Sequence, residues 1–312
     1  ATIYDQATLA AIYAHRLGRP ADQQALVELA EDITSRYRAD GYFLSRAAIA
    51  PQPVARAGLA QLVVYEGYIA EIRFVGEAPE RARQLMEGLS QERPIRLASL
   101  DRRLALLRDT PGLRVRSAEL EPMADDPAAH VLVLTLEQAR AGGEIRLDNR
   151  GSDDEADWRL TLSSKAYGWF VPGDETELRV LTAPSDPDQL AALELNYRRP
   201  LGEEGASLRL EAGAGESIDV SGDDRELAYA AARYAHPLAA GRAAESSIFF
   251  ELAGFDARER RAGAVIMDET LVSAALGIYG RWRNGLGSTS YFSQVLLGRA
   301  ASPRDDLRSR FD

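Results

Sequence analysis

The sequence predicts an α+β region followed by an all-β antiparallel barrel of the membrane-crossing kind, and three observations carry that prediction. Apolar residues recur at helical spacing only in the first 138 residues. After Gln138 they alternate one by one with polar residues, over runs too long for the strands of an ordinary soluble sandwich. Charge divides at the same place: residues 1–140 carry 17 arginines against 19 acids, whereas the remainder carries 20 basic groups against 29 acidic ones. A length of 312 residues agrees with more than one domain.

The first helix is expected over about Gln6–Arg16. A second follows from Asp22, its N-cap, to Tyr37, with Leu26, Leu29, Ala30, Ile33 and Tyr37 on one face. Gly41 stops it. Tyr42-Phe43-Leu44 reads as a short strand, and Leu59–Tyr65, after the Pro51 and Pro53 turn, as another that closes at Glu66-Gly67. A complete version of the same order comes next: a strand at Ile69–Val75, helices at Pro79–Leu89 and Leu97–Arg108, then strands at Leu113–Leu120 and His130–Leu136. The domains are therefore set at 1–67, a module lacking its first strand, 68–138, a complete module, and 139–312. The plain reading of Tyr37, Tyr42 and the leucine stripes is core packing.

Beyond Gln138, Trp158, Leu160 and Leu162 oppose Arg159, Thr161, Ser163 and Lys165. Ala191, Leu193, Leu195 and Tyr197 oppose Ala192, Glu194, Asn196 and Arg198. Leu208 and Leu210 oppose Ser207, Arg209 and Glu211. Nine strands are expected, at Glu144–Asn149, Trp158–Tyr167, Glu175–Leu181, Leu190–Arg198, Ala206–Gly213, Glu226–Tyr234, Ala244–Gly254, Thr270–Trp282 and Leu286–Gly298. Several match the ~9–11 tilted residues that cross a bilayer. Tight turns are placed at Tyr197–Leu201, Tyr234–Leu238 and after Trp282, and longer acidic loops at Asp148–Asp157, Glu216–Glu226 and Asp256–Glu269. Tyr167, Trp169, Tyr197, Tyr234 and Trp282 are expected to form an aromatic girdle on the turn side, with Phe255 on the loop side.

Several chemistries lack their parts. No cysteine is present, which removes disulfides and sulfur-ligated metal. The single lysine, Lys165, stands in no phosphate-loop pattern, and Gly285-Leu286-Gly287-Ser288 reads as a hairpin turn. A net charge of −11 disfavours nucleic acid. His15, His130 and His236 are expected to be structural or solvent-exposed; His236 with Ser246 or Ser247 would lack an oxyanion hole. Asp153-Asp154 and Asp223-Asp224 read as solvated loop acids. No enzyme, cofactor or metal site is expected.

Tyr37-x4-Tyr42-x3-Arg46, Pro51-Gln52 and Val63-Val64-Tyr65-Glu66-Gly67-Tyr68, taken in order, resemble the polypeptide-transport-associated (POTRA) domains of outer-membrane transporters. The similarity is greatest to the haemolysin secretion/activation type, the outer-membrane half of two-partner secretion. Asp148-Asn149-Arg150-Gly151-Ser152 and Pro172-Gly173-Asp174 resemble the family's first-hairpin landmarks. The resemblance implies a barrel of about sixteen strands, so the chain is expected to be a fragment lacking the opening strand of its first module and the closing half of its barrel.

It also implies an outer-membrane location with periplasmic POTRA domains, and secretion of an unfolded partner exoprotein through the barrel without nucleotide hydrolysis. The alternatives are a barrel-assembly or lipid-handling factor and a passive porin. The expected partners are that exoprotein, outer-membrane lipid and lipopolysaccharide, with no nucleic acid, and the chain is expected to be a monomer. The candidate client-binding edge is Leu113–Leu120, where Arg114 and Arg116 flank Val115; its bland reading is a charged edge blunted against aggregation. The candidate pore-lining residues are Arg159, Lys165, Glu194, Arg198, Arg209, Glu211 and Glu251.

Overall fold

The computed structural model describes residues 2–16, 18, 22–50, 61–149, 157–219, 221–241, 243–285 and 287–301. Two compact units emerge: residues 1–105 with 115–137, and residues 106–114 with 138–312.

In the first unit, α1 (Gln6–Tyr13) continues as a 3-10 turn to Arg16, and α2 spans Gln23–Ala39. The Asp22 carboxylate accepts from the Ala25 N–H at 2.7 Å, a cap worth about 1 kcal/mol. Gly41, at φ +89°, takes the left-handed conformation that ends the helix. The strands that follow are β1 (Arg46–Ile49) and β2 (Leu62–Tyr65), paired antiparallel. The strand expected at Tyr42–Leu44 is instead a turn. Tyr42 is buried against Leu29, Ile33 and Tyr37, so its apolar character serves the core and not a ladder. Residues 51–60, including both turn prolines, lie outside the described residues.

The strand-helix-helix-strand-strand order expected next is present as β3 (Tyr68–Val75), α3 (Glu80–Met86), α4 (Leu97–Arg108), β4 (Leu113–Pro122) and β5 (Ala129–Gln138), with a 3-10 turn at Leu89–Gln91. The sheet order is β3-β5-β4, with β3 parallel to β5. Ile69, Leu85, Met86, Ile95, Leu132 and Leu134 are buried. His130 is buried, with Nδ1 3.2 Å from the Ala128 carbonyl, a structural contact.

The second unit carries one nine-stranded antiparallel sheet in sequential order. Its strands are β6 (Ala141–Asp148), β7 (Arg159–Tyr167), β8 (Glu175–Thr182), β9 (Leu190–Leu201), β10 (Ala206–Ile218), β11 (Asp224–Ala240), β12 (Ala244–Arg261), β13 (Ala264–Asn284) and β14 (Gly287–Ala301). All nine expected strands form, and the later ones run longer than expected. The turns at Tyr197–Leu201 and Tyr234–Leu238 are corrected: these residues continue β9 and β11, so His236 is a strand residue. Pro237 is accommodated where the β11–β12 register slips. The long loop at Asp256–Glu269 is likewise corrected. Pairing continues through it to a turn at Ala262-Gly263, both at positive φ (+49° and +78°). Charges there meet partners across strands, Arg258 with Asp268 at 3.4 Å and Arg260 with Asp224 at 2.9 Å, and need no loop. The loop at Glu216–Glu226 shrinks to the stretch between β10 and β11. Asp223 within it is buried against Arg261 at 2.6 Å, contrary to the reading of a solvated acid. Asp153 and Asp154 lie outside the described residues.

Candidate conduit face and receiving strands

Residues directly opposite in an antiparallel ladder share a face, and side chains alternate faces along each strand. The register can therefore be followed across the whole sheet. Ile145, Leu162, Val180, Leu193, Ala214 and Ala228 stand opposite one another from β6 to β11. Tyr197, Leu210, Ala232, Leu252, Ala274 and Leu297 do so from β9 to β14. These rows lie on the same face, and Leu193 (51%), Leu252 (51%) and Leu297 (73%) are half exposed or more. Such a continuous uncovered apolar surface suits acyl chains and not water.

The opposite face is charged. Lys165, Glu177, Asn196 and Glu211 share one row, and Ser163, Arg179 and Glu194 share the next. Arg198, Arg209, Arg233 and Glu251 follow in a third. Arg159 stands opposite Asp148 on this face, in the register that pairs Lys165 with Gly142. All seven residues expected to line a pore are thus on one side of the sheet. Sequence reasoning missed Glu177, Arg179 and Arg233, although their alternation along β8 and β11 carried the signal.

These charges neutralise one another along strands and across them. Arg179 bridges Glu194 at 2.7 Å and Glu177 at 3.2 Å, and Lys165 lies 3.8 Å from both Glu175 and Glu177. Arg209 lies 3.6 Å from Glu211, and Arg233 bonds Glu251 at 2.6 Å. A polar cleft of about 360 Å³ opens beside the Arg179 cluster, between Arg146, Thr161 and Glu194. Further along, the same face turns aromatic: Phe249 is buried under Phe292 (5.8 Å, stacked) with the Arg233 guanidinium 4.7 Å from its ring.

The aromatic girdle is partly corrected. Tyr197, Tyr234 and Trp282 are on the apolar face, and Trp169 is exposed in the β7–β8 turn. Tyr167 stands opposite Glu175, on the charged face, where its ring lies over Gly142. Phe255 stands opposite Tyr229 and shares the charged face with Glu251. The turn between β7 and β8 is organised by Asp174, one of the sequence landmarks. Its buried carboxylate accepts from the N–H groups of Trp169, Phe170 and Val171 at 2.9–3.0 Å, and from the Tyr197 hydroxyl at 3.2 Å.

In the first unit both β4 and β3 are edges of their sheet. Arg114 and Arg116 are exposed on β4 about a half-buried Val115, and Arg116 pairs with Glu137 at 2.7 Å. A polar hub lies elsewhere in this unit. The Glu66 carboxylate accepts from the N–H groups of Thr2 (2.6 Å) and Ile3 (3.1 Å) and from the Tyr37 hydroxyl (2.9 Å). Burial pushes the Glu66 carboxyl up, but these bonds outweigh it and hold the group below the ordinary carboxylate range. Burial, with the bond to Glu66, pushes the Tyr37 phenol up, keeping it a neutral donor.

Comparison with known proteins agrees with this arrangement. Residues 1–67 match the family model of the POTRA domain, ShlB-type. The chain is 22% identical over 185 residues, 56% of its length, to the heme/hemopexin transporter protein HuxB of Haemophilus influenzae (strain 86-028NP), and spans 31% of that protein. Among solved structures it is similar to CdiB from Escherichia coli, with a TM-score of 0.74 at 17% identity, covering 96% of this chain and 57% of that one. It is also similar to CdiB from Acinetobacter baumannii, with a TM-score of 0.61 at 12% identity, covering 96% and 59%. The chain thus spans less than two thirds of each of these proteins. The resemblance to two-partner secretion transporters is borne out, as is the fold expected of the chain, a POTRA-like α/β region followed by a partial antiparallel β-barrel.

Proposed function

We propose that the chain forms part of an outer-membrane transporter that receives an unfolded partner exoprotein on its periplasmic modules and passes it through the barrel without nucleotide hydrolysis. The observation that supports this best is the register-true division of nine strands into an apolar face and a charged face. Such a division has a use where one side meets lipid and the other a wet interior. On this reading the three domains are 1–67, 68–138 and 139–312, the first two being POTRA domains. Arg159, Lys165, Glu194, Arg198, Arg209, Glu211 and Glu251 line the conduit. The ion pairs these residues make, most of them with Glu175, Glu177, Arg179 and Arg233, leave a hydrated surface with little net field, on which an unfolded chain of either charge finds no deep trap.

The client pairs with the β4 edge, where Arg114 and Arg116 set its preference and Val115 its apolar contact. Outer-membrane lipid and lipopolysaccharide cover the apolar face, and the transporter acts as a monomer. The test is release of a partner exoprotein co-expressed with the protein. Deleting residues 1–137 is expected to abolish release while the barrel still inserts; undiminished release would overturn the reading. Arg114→Glu with Arg116→Glu is expected to slow release without altering barrel insertion.

A further inference from the structure

The apolar face of the nine-stranded sheet is not uniform. A groove of about 780 Å³ opens on it between β8 and β12, within the size range of small-ligand sites. Ala191, Ala214 and Ala228 occupy positions of that face on three successive strands, so the floor carries nothing longer than a methyl group. Val180 and Leu193 form an apolar wall. Toward the loop end the chemistry changes: Glu216, Glu226 and Asp256 line the groove there, and among the described residues no base does. Glu216 and Glu226 stand directly opposite each other, an arrangement in which like charges repel. Glu226 is met from β12 by Arg260 at 2.5 Å and Arg258 at 3.9 Å, and Asp256 accepts from the Thr270 hydroxyl at 2.8 Å. Neither Glu216 nor Asp256 has a cation partner among the described residues.

We propose that this groove binds one phosphatidylethanolamine molecule, with an acyl chain along the alanine floor and the ammonium at the Glu216 and Asp256 carboxylates. The inference rests on the reading that the apolar face meets lipid, and deepens it. From Ala214 to Glu216 the face passes from methyl to carboxylate over two residues, about 7 Å of strand. Such a step fits an amphiphile, and the sign of the charge fits one whose head carries a cation. A primary ammonium brings three N–H donors to these carboxylates and relieves the repulsion between Glu216 and Glu226, whereas a quaternary ammonium brings none. The phosphates of phosphatidylglycerol or of lipopolysaccharide, with no amine beside them, would meet three carboxylates of their own sign.

The test is a titration of the delipidated full-length protein in detergent, with bound lipid counted by native mass spectrometry. One phosphatidylethanolamine is expected to bind saturably, about tenfold tighter than phosphatidylcholine with the same chains, and phosphatidylglycerol more weakly than either. Glu216→Gln with Asp256→Asn keeps the shape of both side chains and is expected to erase that preference. Ala214→Phe and Ala228→Phe fill the floor with a residue that a lipid-facing strand accepts, and each should abolish saturable binding. Leu276→Phe, exposed on the same face but outside the groove, should leave binding unaltered. Equal binding of the three headgroups, tighter binding of lipopolysaccharide with or without magnesium, a preference that survives loss of both carboxylates, or undiminished binding in both filled variants would each overturn the site. Insertion into vesicles is read separately, by the gel shift between heated and unheated samples. A protein that inserts yet prefers no headgroup loses the groove and keeps its lipid-facing side, whereas one that does not insert overturns the reading of the apolar face itself.

Discussion

Glu66 shows how a residue read as a strand terminator becomes a hub. Its carboxylate ties the chain start at Thr2 and Ile3 to the buried Tyr37, whose ring packs edge-on against Tyr4 at 4.6 Å. Because the folded state holds Glu66 below its ordinary 4.5, its contribution is present above that pH and fades as pH falls through the lowered value. Tyr37 works in the other direction: its raised phenol contributes below its ordinary 10.0 and is lost as pH climbs past it. Hydrogen-exchange protection of the α2 amides, corrected for intrinsic exchange, should decline on both sides, and Glu66→Gln should flatten the acid side. Asp174 makes a second residue-scale case. Asp174→Ala would leave three turn N–H groups without their acceptor, at about 1–3 kcal/mol for each that water cannot reach. Thermal unfolding of the variant in detergent should come several degrees lower. Both acids were visible in the sequence as landmarks, Glu66-Gly67 and Pro172-Gly173-Asp174. What they bond was not, because the donors to Glu66 come from Thr2, Ile3 and Tyr37, far along the chain.

Among the strands, the loop expected at Asp256–Glu269 failed for a reason that lies outside the segment itself. Counting charges in Asp256–Glu269 suggests a solvated loop, yet opposite charges placed across a ladder are as good a reason to remain a strand. The Arg258–Asp268 and Arg260–Asp224 pairs supply that reason, and no window along a single segment reveals them. The resulting turn holds Ala262 at φ +49°, where a Cβ costs roughly 1–2 kcal/mol. Ala262→Asn should therefore stabilise the β12–β13 hairpin by up to ~1 kcal/mol, seen as slower exchange of the flanking amides. Gly277 on β13 is the opposite case. A Cβ there would lie 2.5 Å from the Phe249 ring and 2.6 Å from the Ser293 carbonyl oxygen. Gly277→Ala must displace either an aromatic side chain packed under Phe292 or the backbone of β14, a cost on the order of 1–3 kcal/mol. Folding titrations of the refolded barrel should register it, whereas Ala substituted at Gly254, where a Cβ meets nothing within 4 Å, should change little.

At the scale of the whole sheet, the alternation was legible because it is a local property with a period of two, and every one of the seven charges assigned to a single side is found there. Closure of those local patterns into rows was not legible, since it depends on eight registers agreeing, and a slip of one residue would reverse a strand's faces. The agreement makes adjacent residues differ sharply in what they tolerate. Leu195 belongs to the apolar face, opposite Leu178 and Ala212; Glu194, one residue before it, bridges Arg179 on the charged face. An arginine on the lipid side costs about 2–4 kcal/mol near the bilayer midplane. Leu195→Arg should accordingly reduce the fraction folded into lipid vesicles, read by the gel shift between heated and unheated samples. Glu194→Gln leaves the lipid side untouched and releases Arg179 from one of its two carboxylates. It should fold as the parent does while shifting the reversal potential of the open conduit toward anions. Equal folding of the two variants would mean that the apolar rows do not meet lipid, and the division of faces would then require a soluble explanation.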